Sequence, residues 1–382
     1  MNVALMRKID RYLGVPMCWV FGILRTLFRQ SKTSSRITRI LVIKLFGIGS
    51  IILSTPALSL LRKAYPDVQI DFLSFESNRQ LLERYPCINR TLSLRTQSLF
   101  EFVSDILRLV FHLWGEPYDV VFDFEFFSKF STLLSNISGA SRRIGFALPT
   151  RWRVMLLTHQ VHLSKEKHVS EAFCDQVFCL MGQRTIPQIS PPAIRKEDVQ
   201  SMKEILPLNG KPVIAINVNA SDTFLERRWL PERFAELVSK LSADNQKQFF
   251  FIGLEHERDY VQQVISMTSC QQRCYNIAGM LTLPELAAFL QRCEMLISGD
   301  SGPVHLAAAL GIRVVGLYGP ETPQFYGPLG EDVTTVYKAI PCSPCMNIYT
   351  AKSFRCPYSA RCMKEIHVDE IESTIEELSE VA

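Results

Sequence analysis

The chain reads as an α/β protein of two domains, and three observations predict it. Short apolar runs alternate with amphipathic stretches along most of its 382 residues. A Pro-rich stretch, Thr185-Ile-Pro-Gln-Ile-Ser-Pro-Pro192, interrupts that alternation at mid-chain. The length also exceeds what one core usually holds, since single cores seldom grow past ~250–300 residues. A composition of 47% hydrophobic and 21% charged residues describes a globular protein and excludes a disordered polymer. No repeat of solenoid period occurs.

The elements follow in order. Arg39-Ile-Leu-Val-Ile-Lys44 is a short apolar strand, and Ile51 to Ala64 a helix stopped by Tyr65-Pro66. Val68 to Leu73 predicts a second strand and Asn78 to Tyr85 a short helix ended by Pro86. Asp119 to Phe124 is a buried strand, followed by a helix through Lys129 and Leu134. After the Pro-rich stretch come strand Val213 to Val218, helix Pro231 to Leu241, strand Gln248 to Gly253 and helix Glu257 to Met267. Helix Pro284 to Arg292, strand Glu294 to Ser298, a helix from Pro303, strand Val314 to Tyr318 and a last helix from Val368 to Val381 complete the reading. Strands alternating with helices imply parallel sheets covered on both faces. The domain plan is a basic segment 1–36, a first domain 37–184, a linker 185–195, a second domain 196–365 and a terminal helix 366–382.

Charge is uneven. Residues 1–39 hold eight basic residues and one acid, Asp10, a net +7 that leaves −3 for the rest of a chain totalling +4. No basic face recurs later, so a nucleic-acid-binding domain is not indicated. The tail from Tyr12 to Phe28 is apolar as well, but Pro16 and Arg25 interrupt it and a membrane span needs ~20 apolar residues. No small-x-small cleavage site follows. Arg25, Arg29 and Lys32 share one helical face, which fits a helix lying on an anionic membrane surface; the plainer alternative is a helix packed on the protein itself. Eleven scattered cysteines without an export signal predict free thiols in a reducing cytosol. Cys342, Cys345, Cys356 and Cys362 are a weak candidate metal cluster, because their last two spacings match no common zinc pattern.

Ile297-Ser-Gly-Asp-Ser-Gly-Pro-Val-His305 is the most informative stretch. A buried strand, a tight glycine turn and a helix opened by Pro303 present backbone N–H groups and the positive end of a helix dipole, a ready site for a diphosphate. His305, one turn in, adds a donor at the same mouth. Gly47-Ile-Gly49 follows the first strand, but Ile52 stands where a third glycine belongs, so a nicotinamide enzyme is not indicated.

Read together, Tyr275-Asn-Ile-Ala-Gly279, Leu283 to Leu290, the Gly-Asp-Ser-Gly-x-x-His turn and Gly316-Leu-Tyr-Gly-Pro-Glu-Thr-Pro323 resemble the donor-binding half of glycosyltransferase family 9, the ADP-heptose:lipopolysaccharide heptosyltransferases. The resemblance extends upstream through Ile216-Asn-Val-Asn-Ala-Ser221, Arg227-Arg-Trp-Leu-Pro231, Tyr118 to Asp123, Thr55-Pro-Ala-Leu58 and Ile40 to Lys44. It implies a GT-B architecture: two Rossmann-like domains facing each other across a cleft, the last helix crossing back to the first domain. It also implies an inverting transfer of a sugar, heptose in the family, from a nucleotide-diphosphate donor, ADP-linked, to a lipid-linked envelope saccharide such as the lipopolysaccharide core. No cofactor is required in that reading, and the enzyme would work at the inner face of the cytoplasmic membrane.

The resemblance assigns the donor to Asn219, Ser221, Arg227, Glu255, Asp300, Ser301, Gly302 and His305, with Arg227 neutralising the departing diphosphate. The family's Asp-Thr-Gly turn is Asp300-Ser301-Gly302 here, which keeps the hydroxyl. Gly47, Gly49 and Lys129 belong to the acceptor side. The family's catalytic Asp after Gly49 is replaced by Ser50, which is no base at neutral pH without a partner. Glu125, standing where relatives carry Gln, and then Asp123 are the replacement candidates, the alternative being that Asp123 caps the helix that follows and Glu125 is solvated. A catalytically degenerate nucleotide- or glycan-binding protein of the same fold is the competing reading.

Overall fold

The computed structural model describes residues 36–126, 128–147, 155–182, 184–220, 224–243, 246–346 and 355–380, with Asp10, Tyr12, Gly14, 16–20 and Arg153. The basic residues of the tail other than Arg36 and Arg39, and donor candidate Ser221, lie outside them. The chain divides into two compact units between Ser190 and Pro191, inside the Pro-rich stretch.

The first unit is a parallel six-stranded sheet in the order β3-β2-β1-β4-β5-β6. Its strands are β1 (Arg39–Ile43), β2 (Gln69–Phe75), β3 (Arg90–Leu94), β4 (Val120–Asp123), β5 (Arg142–Ala147) and β6 (His159–His162). The central strands β1 and β4 are almost wholly buried, the pattern of a sheet covered on both faces. Helices α1 (Ile48–Leu53), α2 (Thr55–Ala64), α3 (Leu99–Gly115), α4 (Lys129–Ile137) and α5 (Val169–Met181) connect them. The sequence predicts one helix from Ile51 to Ala64; Ser54 instead breaks it in two. Pro56, in the first turn of α2, has no N–H to continue the ladder. Asp10, Gly14 and the helical residues 16–20 dock on α4: Asp10 Oδ1 accepts from Lys129 N (2.8 Å) and Phe130 N (2.9 Å), and Cys18 is buried against Leu133 and Leu156.

The second unit repeats the plan, in the order β12-β11-β10-β7-β8-β9 and again all parallel. Its strands are β7 (Val213–Asn217), β8 (Gln248–Phe251), β9 (Cys274–Asn276), β10 (Met295–Gly299), β11 (Arg313–Tyr318) and β12 (Val333–Tyr337). The helices are α6 (Lys196–Ile205), α7 (Pro231–Leu241), α8 (Arg258–Ser266), α9 (Leu283–Leu290), α10 (Gly302–Ala309) and α11 (Val368–Glu380). Thr282 and Glu285 form a capping box on α9, and prolines open α7 and α10. The terminal helix corrects the expected crossing. Val368, Ile371 and Ile375 of α11 enter the core of the second unit with Trp229 and Phe234, and Lys240 of α7 pairs with Asp369 (2.5 Å) and Glu372 (2.9 Å). Counted within each unit, both strand orders are 3-2-1-4-5-6, the doubly wound order whose switch point lies between the first and fourth strands. Among the described residues no helix is long and apolar enough to cross a membrane.

Candidate active site

In the second unit the switch point is the pair β7 and β10, and the predicted donor residues other than Glu255, which follows β8, come after those strands. Asn217, the last residue of β7, donates from Nδ2 to Ser298 Oγ (2.9 Å) and Ser301 Oγ (2.8 Å). One buried amide therefore fixes the turn after β10. Ser301 is the N-cap residue of α10, so Ser301 and Gly302 stand at the head of that helix. Asn219 is buried and donates to Ile252 O (3.3 Å), while its Oδ1 has no hydrogen-bond partner among the described residues.

Arg227 ties the turn together. Its Nη1 lies 3.1 Å from Asp300 Oδ2, its Nε and Nη2 point at Met346 Sδ (3.2 and 2.9 Å), and its guanidinium stacks 5.1 Å from the Phe224 ring. Met346 is held there because Cys345 N and Met346 N both donate to Pro320 O. Gly299 permits the approach, since a Cβ there would sit 3.3 Å from Arg227 O. Burial raises the Asp300 carboxyl above its ordinary range, and Arg227 opposes that rise. Glu321 is also buried; burial and then Asp300 push its carboxyl up to about 8, again against Arg227. One guanidinium thus serves two carboxyl groups.

One donor candidate sits differently from the sequence reading, and a second lies after its strand as expected. His305 is buried in α10, 6.2 Å from the Tyr326 ring, rather than open at a mouth, because α10 is buried along most of its length. Glu255 is exposed in a short turn after β8. A Cβ at Gly279, where φ is +77°, would collide with Glu255 Oε2 and lie 2.7 Å from its Cα, so only glycine fits beneath that turn.

In the first unit the switch point is β1 and β4, and it also holds a polar cluster. Glu125 Oε1 accepts from Lys44 Nζ (3.0 Å), Leu45 N (2.7 Å) and Phe46 N (3.0 Å). Asp123 Oδ2 accepts from Thr132 Oγ1 (2.7 Å) and Arg153 Nη2 (2.7 Å), and its Oδ1 from Glu125 N (3.2 Å). Arg153, fully buried, also donates to Glu125 O and Phe126 O. Burial raises the Asp123 carboxyl, with Arg153 and Thr132 opposing. Asp123, the second candidate for the missing base, is sealed in an ion pair, and Glu125, the first candidate, anchors the loop after β1. Gly49 and Ser50 lie inside α1, not in a loop, and Gly47 at φ +85° is the turn residue that starts it. Lys129 opens α4 and pairs with Asp10 (3.4 Å).

The cysteine cluster gives no metal geometry. Among the described residues no three Cys, His, Asp or Glu side chains are arranged to hold an ion. Cys342, Cys345, Cys356 and Cys362 are free thiols; Cys356 Sγ accepts from Ala360 N (3.2 Å), and burial pushes the Cys362 thiol up to about 11. Glu321, Asn217, Met346, Lys44 and Arg153 were not singled out by sequence. Glu321 and Asn217 lie within motifs that carried the resemblance; nothing local marks Met346 or Arg153.

Two Rossmann-like units, with a glycine turn and a helix head at the switch point of the second, define a nucleotide-dependent transferase of the GT-B class. A family model described as glycosyltransferase family 9 (heptosyltransferase) matches residues 106–353, and the chain belongs to that family; it is a glycosyltransferase. It is 24% identical over 307 residues to lipopolysaccharide heptosyltransferase 2 of Escherichia coli strain K12, covering 78% of this chain and 87% of that one. A family 9 glycosyltransferase from Veillonella parvula shares the fold with a TM-score of 0.75 at 22% identity, over 90% of this chain and 98% of that one. The E. coli ADP-heptose lps heptosyltransferase II superposes with a TM-score of 0.71 at 21% identity, over 90% and 100% of the two chains.

Proposed function

We propose that this enzyme transfers heptose from ADP-heptose to a lipid-linked saccharide of the lipopolysaccharide core, working at the inner face of the cytoplasmic membrane. The ion pair of Arg227 with Asp300, at the head of α10, carries the reading. Relatives named for this reaction support the choice of donor and acceptor. In the transfer an acceptor oxygen bonds to the anomeric carbon as the carbon–oxygen bond to the diphosphate breaks with inversion, and the hydroxyl proton leaves to a base or to water. One further negative charge develops on the diphosphate of the departing ADP, which already carries two. Arg227 can turn from Asp300 toward it, and the N–H groups of Gly302 and its neighbours add a fixed positive field.

Asn219, Ser221, Ser301 and His305 complete the donor side in this reading, and Glu255 faces the ribose. Neither Asp123 nor Glu125 is assigned as base; Glu125 positions the β1–α1 loop. A non-catalytic binding protein is favoured by one observation, Ser50 in place of the family carboxylate.

A donor screen by thermal shift tests the proposal. ADP and ADP-heptose should raise the melting temperature selectively over GDP and UDP and their sugars. Arg227→Gln should weaken that shift and lower kcat by about 10²–10³-fold, as removal of one electrostatic stabiliser does. A protein that binds ADP-heptose but transfers it to no core acceptor would be the non-catalytic one.

A further inference from the structure

The mechanism leaves unused the largest run of exposed apolar side chains among the described residues of the first unit. On α3, Phe100 is 83% exposed, Phe111 69% and Trp114 65%, with Val103 and Leu107 between them. At ~100° per residue these five fall within an arc of about 80°, a ridge about 21 Å long. The opposite side of the same helix is already used: Leu109 and Leu113 are core residues, with Phe102 and Ile106 packed against them. A helix apolar on both sides, with one side facing solvent, marks an interaction surface.

Three features of the surroundings identify the occupant. The carboxylates beside the ridge are neutralised from within: Glu101 and Asp105 pair with Arg95, and Glu116 with Arg39 and Arg90. The Arg108 side chain stays 73% exposed. The Trp114 indole N–H donates to Ile137 O (3.2 Å), so its ring can enter an apolar phase without stranding a donor. Finally, the tail continues the surface. Asp10 caps α4 at Lys129 and Phe130, and the Phe130 ring lies 5.7 Å from Phe102 of α3. That tail exposes Tyr12, Met17, Trp19 and Val20 and belongs to the segment carrying a net +7. Aromatic side chains with an exposed cation such as Arg108, on a chain whose first 39 residues are strongly basic, suit the boundary of an anionic bilayer.

We infer that the Phe100–Trp114 ridge of α3 is a membrane-docking surface that inserts into the interface of an anionic lipid bilayer, beside the N-terminal segment. The inference rests on the reading that the acceptor is lipid-linked. A convex single-helix ridge without a rim of unpaired polar groups suits a deformable apolar phase better than a second copy of the chain, which needs a self-complementary face.

The test uses the full chain and vesicles of equal parts phosphatidylcholine and phosphatidylglycerol. Phe100→Ser combined with Phe111→Ser should weaken co-sedimentation at least about tenfold, because two exposed rings lose their apolar burial. Its melting temperature should stay at the wild-type value, and Phe100→Trp with Phe111→Trp should bind at least as well as wild type. Unchanged binding by the serine variant overturns the inference. So does a wild-type dimer that the serine changes dissolve while vesicle binding persists. Transfer to a short lipid-free acceptor should be equal in wild type and the serine variant. A wild type that transfers nothing yet docks through α3 would sink the transferase reading and uphold this one.

Discussion

Glu321, Asp300 and Arg227 set the electrostatics of the turn proposed for the donor, and the first of them gives a test of sign. Burial and Asp300 hold the Glu321 proton to about 8, above the ordinary 4.5 of a glutamate. A raised acid leaves the fold unpenalised below pH ~4.5, and stability is lost as pH rises toward 8 because only the unfolded chain ionises. That loss amounts to at most roughly 5 kcal/mol. Glu321→Gln keeps the shape without the titration. Its melting temperature relative to wild type should therefore climb between pH 5 and pH 8; a constant difference across that range would show that Glu321 is ionised in the folded protein. At the other switch point, Glu125→Gln tests positioning against base chemistry. Gln retains an acceptor for Leu45 N and Phe46 N but loses the charge facing Lys44. We expect a fall in kcat of less than about tenfold with the acid limb of the pH profile intact, whereas loss of a general base costs ~10²–10⁴-fold and removes that limb.

At the scale of elements, α4 is capped by a residue more than a hundred positions away in sequence. Asp10 accepts from Lys129 N and Phe130 N, and Ser128 accepts from Ser131 N, so two side chains serve one helix start. Asp10→Ala should cost about 1 kcal/mol, read as a lower denaturant midpoint, with no change in ADP affinity. An unaltered midpoint would mean that the tail does not dock on α4 in solution. Other elements show what is legible in sequence. Elements with a strong period and clear punctuation, such as Pro231 to Leu241, were read to their ends, because Pro at the first turn and a polar stop are local signals. The strands β3, β6, β9 and β12 are not evident from sequence, since short partly exposed strands owe their pairing to neighbours rather than to their own pattern, while buried β5 opens on Arg142 and Arg143, which mask its apolar run. Helix α3 is absent from the sequence reading although its charged residues keep a clear 3.6-residue period. The donor turn was legible because glycine, capping and helix signals coincide at Gly299 to Pro303. The sealing of Asp123 was not, for it depends on Arg153, thirty positions on in a stretch without a motif.

For the whole molecule, the residues proposed to bind the donor, and those that hold them, belong to one unit. Asn217, Asn219, Arg227, Glu255, Asp300, Ser301, Gly302, His305 and Glu321 all lie beyond Pro191, and so does the core that holds them, from Ile214 through Trp229 to Ile375 of α11. Because α11 packs on α7 within the same unit, cutting the chain at the boundary leaves that core intact. A fragment of residues 191–382 should therefore fold alone, melt cooperatively and bind ADP within about tenfold of the full chain, as a domain with its own core can. It should transfer no sugar, since the acceptor residues assigned to Gly47, Gly49 and Lys129 are absent from it. Asp300→Ala in the fragment should abolish the ADP-induced thermal shift. Calorimetry decides: a fragment that melts cooperatively yet binds no ADP would mean that the first unit completes the nucleotide site, and the assignment of the donor to the second sheet's switch point would have to be abandoned.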